Sequence, residues 1–167
     1  RGLGEQMARA FCQEGVKVVI AAEIASEVES LAADLKSQKF SALAVPTDVR
    51  EEKSVSSLFQ KARKTFGELD ILVNNAGVML VQPITEMEPA AWDNIIHINL
   101  RGPYLCSREA LKQMIPRKKG VILNVTSNLA HKGFQLVSAY CASKFGLEGF
   151  TQAMAMEVAA QGIRVNA

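Results

Sequence analysis

Residues 69–77, LDILVNNAG, decide the fold. The first five, 69–73, are an apolar run interrupted only by Asp70, of the length expected of a strand buried on both faces of a parallel sheet. The next four, Asn74, Asn75, Ala76 and Gly77, are small or amide-bearing and fall where that strand ends. In open parallel sheets ligands sit beyond the carboxyl ends of the strands. The segment is therefore either a place where backbone approaches a flat ring system closely or a simple Asn-Gly turn.

Working outward, the same alternation recurs on both sides. Upstream, Met7, Ala8, Ala10 and Phe11 keep helical spacing within 4–14, and Gly15 stops the pattern where a C-terminal cap belongs. Residues 17–22 (KVVIAA) form a β-branched strand, followed by a helix over 26–37, a strand over 41–46 and a helix over 51–66. Downstream, a stretch broken by Pro83 and Pro89 leads to one long helix over 92–112, a strand over 121–125, a helix over 139–160, and a strand start at 163–165 after Gly162. Strands alternating with crossover helices predict an α/β fold: a doubly wound parallel sheet of the Rossmann type, covered on both faces, in a single domain spanning 1–167.

The bulk properties exclude several function classes. About half of the 167 residues are apolar and 22% are charged, as in ordinary globular domains. No apolar run reaches the roughly 18 residues a membrane span needs, and no signal peptide is visible, which predicts a soluble, cytoplasmic protein. A net charge of +2 is too small for a nucleic-acid footprint, and the basic run Arg117, Lys118, Lys119 reads as a solvated loop before a strand. Cys12, Cys106 and Cys141 are odd in number and far apart, and His97 and His131 are the only histidines. Free thiols and no metal site are expected.

Some residues carry a suggestion of chemistry. Gly2, Leu3 and Gly4 run straight into a helix, whose N-terminus would present N–H groups to a pyrophosphate, although an ordinary glycine turn gives the same pattern. Tyr140 and Lys144 are four apart on a predicted helix and share a face. An ammonium beside a phenol stabilises the phenolate, which suits a proton donor, but such a pair is also ordinary surface packing. Ser127 lies thirteen residues before Tyr140 at the end of a strand, and Asn99 sits in the long helix facing the same edge.

Taken together these motifs resemble the short-chain dehydrogenase/reductase family across essentially the whole chain. Residues 1–4 are similar to the tail of its glycine-rich loop, Asp48-Val49 to its adenine-contacting pair, and 74–77 to its Asn-Asn-Ala-Gly. Asn99, Ser127, Tyr140 and Lys144 fall on its catalytic tetrad, and 163–167 (IRVNA) matches the lead into its Pro-Gly segment. By that resemblance the first strand, the first glycine and the C-terminal substrate lid lie outside this sequence. A sheet without them would leave strand edges unpaired, so the 167-residue chain by itself is expected to be unstable or inactive.

The resemblance implies an NAD(P)-dependent oxidoreductase that moves a hydride between a nicotinamide and a carbonyl or secondary alcohol. Tyr140 would be the acid/base and Lys144 its partner and a ribose ligand. Ser127 would hold the substrate oxygen, and Asn99 would anchor a water relaying protons to Lys144. Arg1, Gly2, Leu3, Gly4, Asp48, Val49, Asn75, Ala76, Gly77, Tyr140 and Lys144 would bind the cofactor. Phe134, Leu136 and Val137, in the loop 128–138, would either wall an apolar substrate site or simply pack. NADP is favoured over NAD by Arg1, which suits a 2′-phosphate, and by Ala22 where NAD-binding members carry an acid; Glu23 next door argues the other way. The partners implied are a small-molecule substrate and further copies of the chain, as a homodimer or homotetramer, with Gly146, Gly149 and Ala153 allowing close helix approach. Substrates of a 3-oxoacyl carrier-protein reductase and of an alcohol or polyol dehydrogenase both fit. The alternative is a dinucleotide-binding sensor or scaffold without turnover.

Overall fold

The structure, a computed structural model, describes residues 2–167; Arg1, one of the expected cofactor ligands, lies outside the described residues. The elements in chain order are α1 (Gly2–Gln13), β1 (Val18–Ala22), α2 (Ala25–Ser37), β2 (Ala42–Pro46), α3 (Glu52–Phe66), β3 (Ile71–Asn74), α4 (Pro89–Ile96), α5 (Gly102–Arg117), β4 (Gly120–Asn124), α6 (Ser138–Val158) and β5 (Ile163–Asn166). A π turn (His97–Arg101) separates α4 from α5. The chain divides into two compact units, Arg1–Glu68 and Leu69–Ala167.

In the first unit β1 and β2 pair in parallel, Val18 opposite Ala42 and Ala22 opposite Pro46. The crossover helix α2 makes that direction possible. Ala8 and Cys12 of α1, Leu31, Ala32 and Leu35 of α2, and Ala42 of β2 form the core, with Val18, Ile20, Phe40 and Ala44 packed against it. The pairs Ala8/Cys12 and Leu31/Leu35 are each four apart, so each helix turns one stripe inward. Burying a leucine such as Leu35 contributes about 2 kcal/mol relative to leaving it in water.

In the second unit β3, β4 and β5 form a parallel three-stranded sheet, with Ile71 opposite Val121, Asn74 opposite Asn124, and Gly120 opposite Ile163. The α/β class and the parallel pairing are as expected, but the strands form a pair and a triplet rather than one listing of neighbours readable in advance. Apolar runs and crossover helices mark strands and their direction; they do not say which strand each one pairs with. Gly162, which precedes β5, sits at φ +70°, and a Cβ there would come within 2.5 Å of the Lys118 carbonyl oxygen. Only glycine meets both conditions.

Two expectations need correction. The single helix over 92–112 is instead α4, the π turn and α5, running on to Arg117. Pro103 has no N–H for the carbonyl four residues back, that of Asn99, so a regular helix cannot continue through this point. The basic run is also more than a solvated loop. Arg117 ends α5, donates from NH2 to Asp70 Oδ1 at 2.7 Å and from NH1 to the Leu69 carbonyl at 3.2 Å, and Lys119 pairs with the same carboxylate at 3.2 Å. These bonds engage the start of the 69–73 run, and β3 begins at Ile71.

Helices α5 and α6 lie on the sheet face to which Asn74 and Asn124 point. The Asn74 amide donates to Ser107 Oγ of α5 at 3.2 Å and to Asn124 Oδ1 at 2.8 Å. Asn124 then donates to Thr151 Oγ1 of α6 at 2.8 Å, and that hydroxyl donates to the Leu147 carbonyl at 2.7 Å. All four side chains belong to buried residues. A buried polar group left unpaired costs about 1–3 kcal/mol, so this chain of bonds fixes where the two helices sit on the sheet.

Candidate active site

Beyond the carboxyl ends of β3 and β4 lies a cavity of about 230 Å³, lined by Asn75, Gly77, Val78, Met79, Val125, Thr126, Tyr140 and Lys144. Tyr140 and Lys144 arrive one turn apart on α6, and the Lys144 Nζ stands 5.7 Å from the centre of the Tyr140 ring. Lys144 is only 4% exposed. Its Nζ donates to the Val125 carbonyl at 2.8 Å, and among the described residues no carboxylate lines the cavity. Desolvation therefore dominates and pulls the ammonium below the ordinary lysine range. An ammonium has three N–H donors, and one bond to Val125 leaves donors for the cavity.

Asn99 is fully buried in the π turn and clamps the loop after β3. Its Oδ1 accepts the Val78 N–H at 2.8 Å, while Nδ2 donates to the Val78 carbonyl at 2.8 Å and to Ser143 Oγ at 3.0 Å. Ser143 in turn donates to the Tyr140 carbonyl at 2.7 Å. Both amide N–H groups of Asn99 are thus engaged, and the clamp ties the loop after β3 to the helix that carries Tyr140 and Lys144. Gly146 of α6 lets this happen: a Cβ there would sit 3.0 Å from the Leu100 side chain in the π turn. The close approach expected of Gly146 is met within the chain, whereas a Cβ at Gly149 would meet nothing within 4 Å.

Gly77 is placed against both groups, its added Cβ falling 3.5 Å from Asn99 Oδ1 and 3.6 Å from Lys144 Nζ. The structure therefore gathers Asn75, Gly77, Asn99, Tyr140 and Lys144, with exposed Ala76 adjoining them in the chain. Ser127 stands apart from the cavity lining. Its hydroxyl caps a short 3₁₀ turn (Asn128–Ala130), accepting the Leu129 N–H at 3.1 Å and donating to Asn128 Oδ1 at 3.2 Å. Thr126 lines the cavity in its place, and Ser143 enters the network unannounced by spacing. A larger cavity of about 370 Å³ beyond β5, bordered by His131, Glu148, Thr151 and Asn166, contains neither the tyrosine nor the lysine.

In the first unit Gly2 opens α1 at φ +65°, with open space where its Cβ would be, Leu3 is exposed, and Gly4 is half-buried. Asp48 follows β2. Its carboxylate accepts from the Arg50 backbone N–H and Nε at 2.9 Å each and from NH2 at 2.7 Å, bonds that hold it below the usual carboxylate range. Arg50 NH2 also reaches Glu23 at 2.8 Å. The Asp48 N–H donates to Ser54 Oγ at 3.1 Å, and Val49 is half-buried. Arg50 is a residue that sequence reasoning missed. The Asp-x-Arg spacing, which closes a turn from the Asp48 side chain onto the Arg50 N–H, was the available signal.

The expected loop wall divides. Val137 is buried and packs, while Phe134 and Leu136 are exposed. Leu136 sits at φ +66°, a region that costs a non-glycine residue roughly 1–2 kcal/mol. Its carbonyl accepts the Gln82 N–H at 2.7 Å.

Parallel strands joined by crossover helices, with a buried lysine and a tyrosine on one helix at their carboxyl ends, define a Rossmann-type α/β protein. The sequence model for short chain dehydrogenases matches residues 1–167, and the chain belongs to that family. It is 38% identical over 168 residues to an uncharacterized oxidoreductase of Thermotoga maritima, covering 99% of this chain and 64% of that protein. It is 40% identical over 167 residues to the cis-4-hydroxycyclohexanecarboxylate dehydrogenase of Sinomonas cyclohexanicum, covering 99% of this chain and 67% of that protein. The crystal structure of a metagenomic short-chain oxidoreductase in complex with NADP superposes with a TM-score of 0.94 at 31% identity, covering 99% of this chain and 75% of the other. The chain thus spans about two thirds of the length of the curated relatives it matches.

Proposed function

We propose that the protein is an NAD(P)-dependent oxidoreductase that interconverts a carbonyl and a secondary alcohol, with Tyr140 as the acid/base. The observation that carries this reading is the buried Lys144 ammonium, desolvated and beside Tyr140 in a cavity with no carboxylate to neutralise it. Few structural roles call for an uncompensated ammonium in that position.

In the reducing direction the proton leaves the Tyr140 hydroxyl for the substrate oxygen, and Lys144 stabilises the phenolate left behind. Asn99 and Ser143 hold the Val78 loop and α6 in register, so that Tyr140 meets a substrate of fixed orientation; a water for proton relay to Lys144 falls to the groups their bonds leave over. Ser127 adjoins the cavity-lining Thr126 in the chain, and its hydroxyl would have to leave Asn128 Oδ1 to donate to the substrate oxygen. A nicotinamide cofactor, when bound, supplies or accepts the hydride. The exposed Gly77, its Cβ position 3.6 Å from Lys144 Nζ, brings backbone close enough to suit a flat ring, and Asn75, Ala76, Tyr140 and Lys144 would hold that end. Gly2, Leu3 and Gly4 at the start of α1 suit a pyrophosphate, and Asp48 with Val49 would meet the adenosine. NADPH is preferred: Arg1 and Ala22 favour it, and Arg50 engages both nearby acids, Glu23 and Asp48. The protein works in the cytoplasm as a homodimer or homotetramer, which sedimentation at micromolar concentration tests.

Tyr140→Phe keeps the packed ring and removes the titrating hydroxyl. It should cut turnover by about 10²- to 10⁴-fold while leaving cofactor binding intact. Near-normal turnover in this variant would remove Tyr140 from the chemistry.

A further inference from the structure

The cavity at Tyr140 and Lys144 opens onto a rim made by two loops of the second unit, one following β3 and one preceding α6. The two are joined by the hydrogen bond from the Gln82 N–H to the Leu136 carbonyl, and Val78 at the base of the first loop is clamped through both backbone groups by Asn99. The rim is therefore built and pinned. Five of its side chains are apolar and face outward, Met79 at 56% exposed, Val81 60%, Ile84 66%, Phe134 61% and Leu136 45%; among them stand the polar Gln82, whose amide donates to the Glu86 carbonyl, and the exposed Thr85 and Gln135. From Val78 to Thr85, and again from Gly133 to Ser138, no residue is charged. Val78 and Met79 belong to both the rim and the cavity, so the apolar surface is continuous with the reacting site. Contiguous apolar surface rimming a cleft marks a place where apolar ligand is taken from water.

We infer that the substrate is an uncharged, predominantly apolar ketone or its secondary alcohol, its hydrocarbon body lying against Met79, Val81, Phe134 and Leu136, and that polyhydroxylated substrates bind more weakly. Sugars and polyols would need a hydrogen-bonding partner for each hydroxyl stripped of water, and a hydroxyl lying against Met79, Val81, Phe134 and Leu136 finds none in those four side chains. The inference rests on the reductase reading for its reacting group and on the rim alone for its selectivity. An alicyclic ketone and the acyl chain of a 3-oxoacyl thioester share this chemistry.

The test uses the full-length protein and a series of straight-chain methyl ketones from four to seven carbons, beside cyclohexanone, an acetoacetyl thioester and fructose. Binding is read by calorimetry in Tyr140→Phe, and kcat/KM with NADPH in the wild type. Each added methylene should tighten binding about fourfold, and kcat/KM should follow. Preference for cyclohexanone or for the thioester tells the two sources apart, and either supports the inference. Phe134→Ser with Val81→Ser, both exposed positions that a fold tolerates, should flatten the series. A series flat in the wild type, or tighter binding of fructose, overturns the inference. So does a double variant that changes the oligomeric state and leaves the series intact, since the rim would then serve a second copy of the chain. Binding that climbs with chain length in a protein that turns over none of the ketones defeats the reductase reading and leaves the rim standing.

Discussion

In the first unit the charged groups lie at the surface and the interior is hydrocarbon. Arg9 joins Glu5 and Asp34 at 2.8 and 2.6 Å across α1 and α2, Arg50 joins Asp48 and Glu23, and beneath them Ala8, Cys12, Leu31, Leu35 and Ala42 close together. In the second unit the polar groups go inside. Asn74, Asn99, Ser107, Asn124, Ser143, Lys144 and Thr151 are buried there, against Thr47 alone in the first unit among the described residues. The difference teaches where the chemistry lies. Surface ion pairs are individually weak and replaceable, whereas buried polar groups need fixed partners and hold their neighbours to a single geometry.

The largest effect that would sharpen this contrast is expected at Lys144. Lys144→Met should lower turnover by about 10²-fold or more, because the phenolate loses its ammonium, yet the melting temperature should not fall. The wild-type lysine bears a desolvation penalty that methionine does not. The pH dependence follows from the same cause. The folded-state value of Lys144 lies below the unfolded one, so between the two the unfolded chain binds more protons and stability rises with pH, up to the ordinary lysine value of 10.5. Subtracting the Lys144→Met unfolding curve from the wild-type curve at each pH should expose that rise. A variant that melts much earlier, with no such difference, would make Lys144 part of the scaffold instead.

Next in size, Leu35→Ala in the first unit should cost about 2–5 kcal/mol in denaturant unfolding, with turnover per folded molecule unchanged. A selective loss of kcat at full folding would break the division between packing and chemistry. Thr151→Val should cost about 1–3 kcal/mol, since it strands the Asn124 amide in the interior, and Thr151→Ser should restore most of it. Equal melting curves for the Val and Ser variants would show that the bond from Asn124 is dispensable. The smallest effect is expected at the surface of the first unit: Arg9→Ala should leave the melting temperature unchanged at physiological salt, and a clear drop would mean that its bridge between α1 and α2 carries more than screened charge.

Much of this architecture was legible in advance because it rests on local rules. Residues 17–22 and 41–46 differ from β1 and β2 by a single residue at one end, since a β-branched run between turn signals admits little else. Tyr140 and Lys144 could be placed on one face from the helical repeat alone. The strand expected over 69–73 is observed as Ile71–Asn74; just ahead of it the Asp70 carbonyl accepts the Val121 N–H, and Leu69 and Asp70 are engaged by Arg117, a residue 47 positions from Asp70 along the chain. The π turn at His97–Arg101 was hidden by a helical pattern that runs on through it, although Pro103 marked the interruption. Spacing alone could not disclose that Ser127 spends its hydroxyl on a local cap while Ser143 joins Asn99.

The sequence by itself determined the order of helices and strands, the parallel direction of the strands, the family, and the helix that carries the tyrosine and lysine, because each of these follows from periodicity, chain direction or the order of motifs. Tertiary structure alone decided that Lys144 is desolvated without a carboxylate nearby, that the Asn99 amide is consumed in clamping Val78, and that Phe134 and Leu136 stay open while Val137 packs. Burial and hydrogen-bond partnership depend on which distant segments share a volume, and no local pattern of residues specifies that.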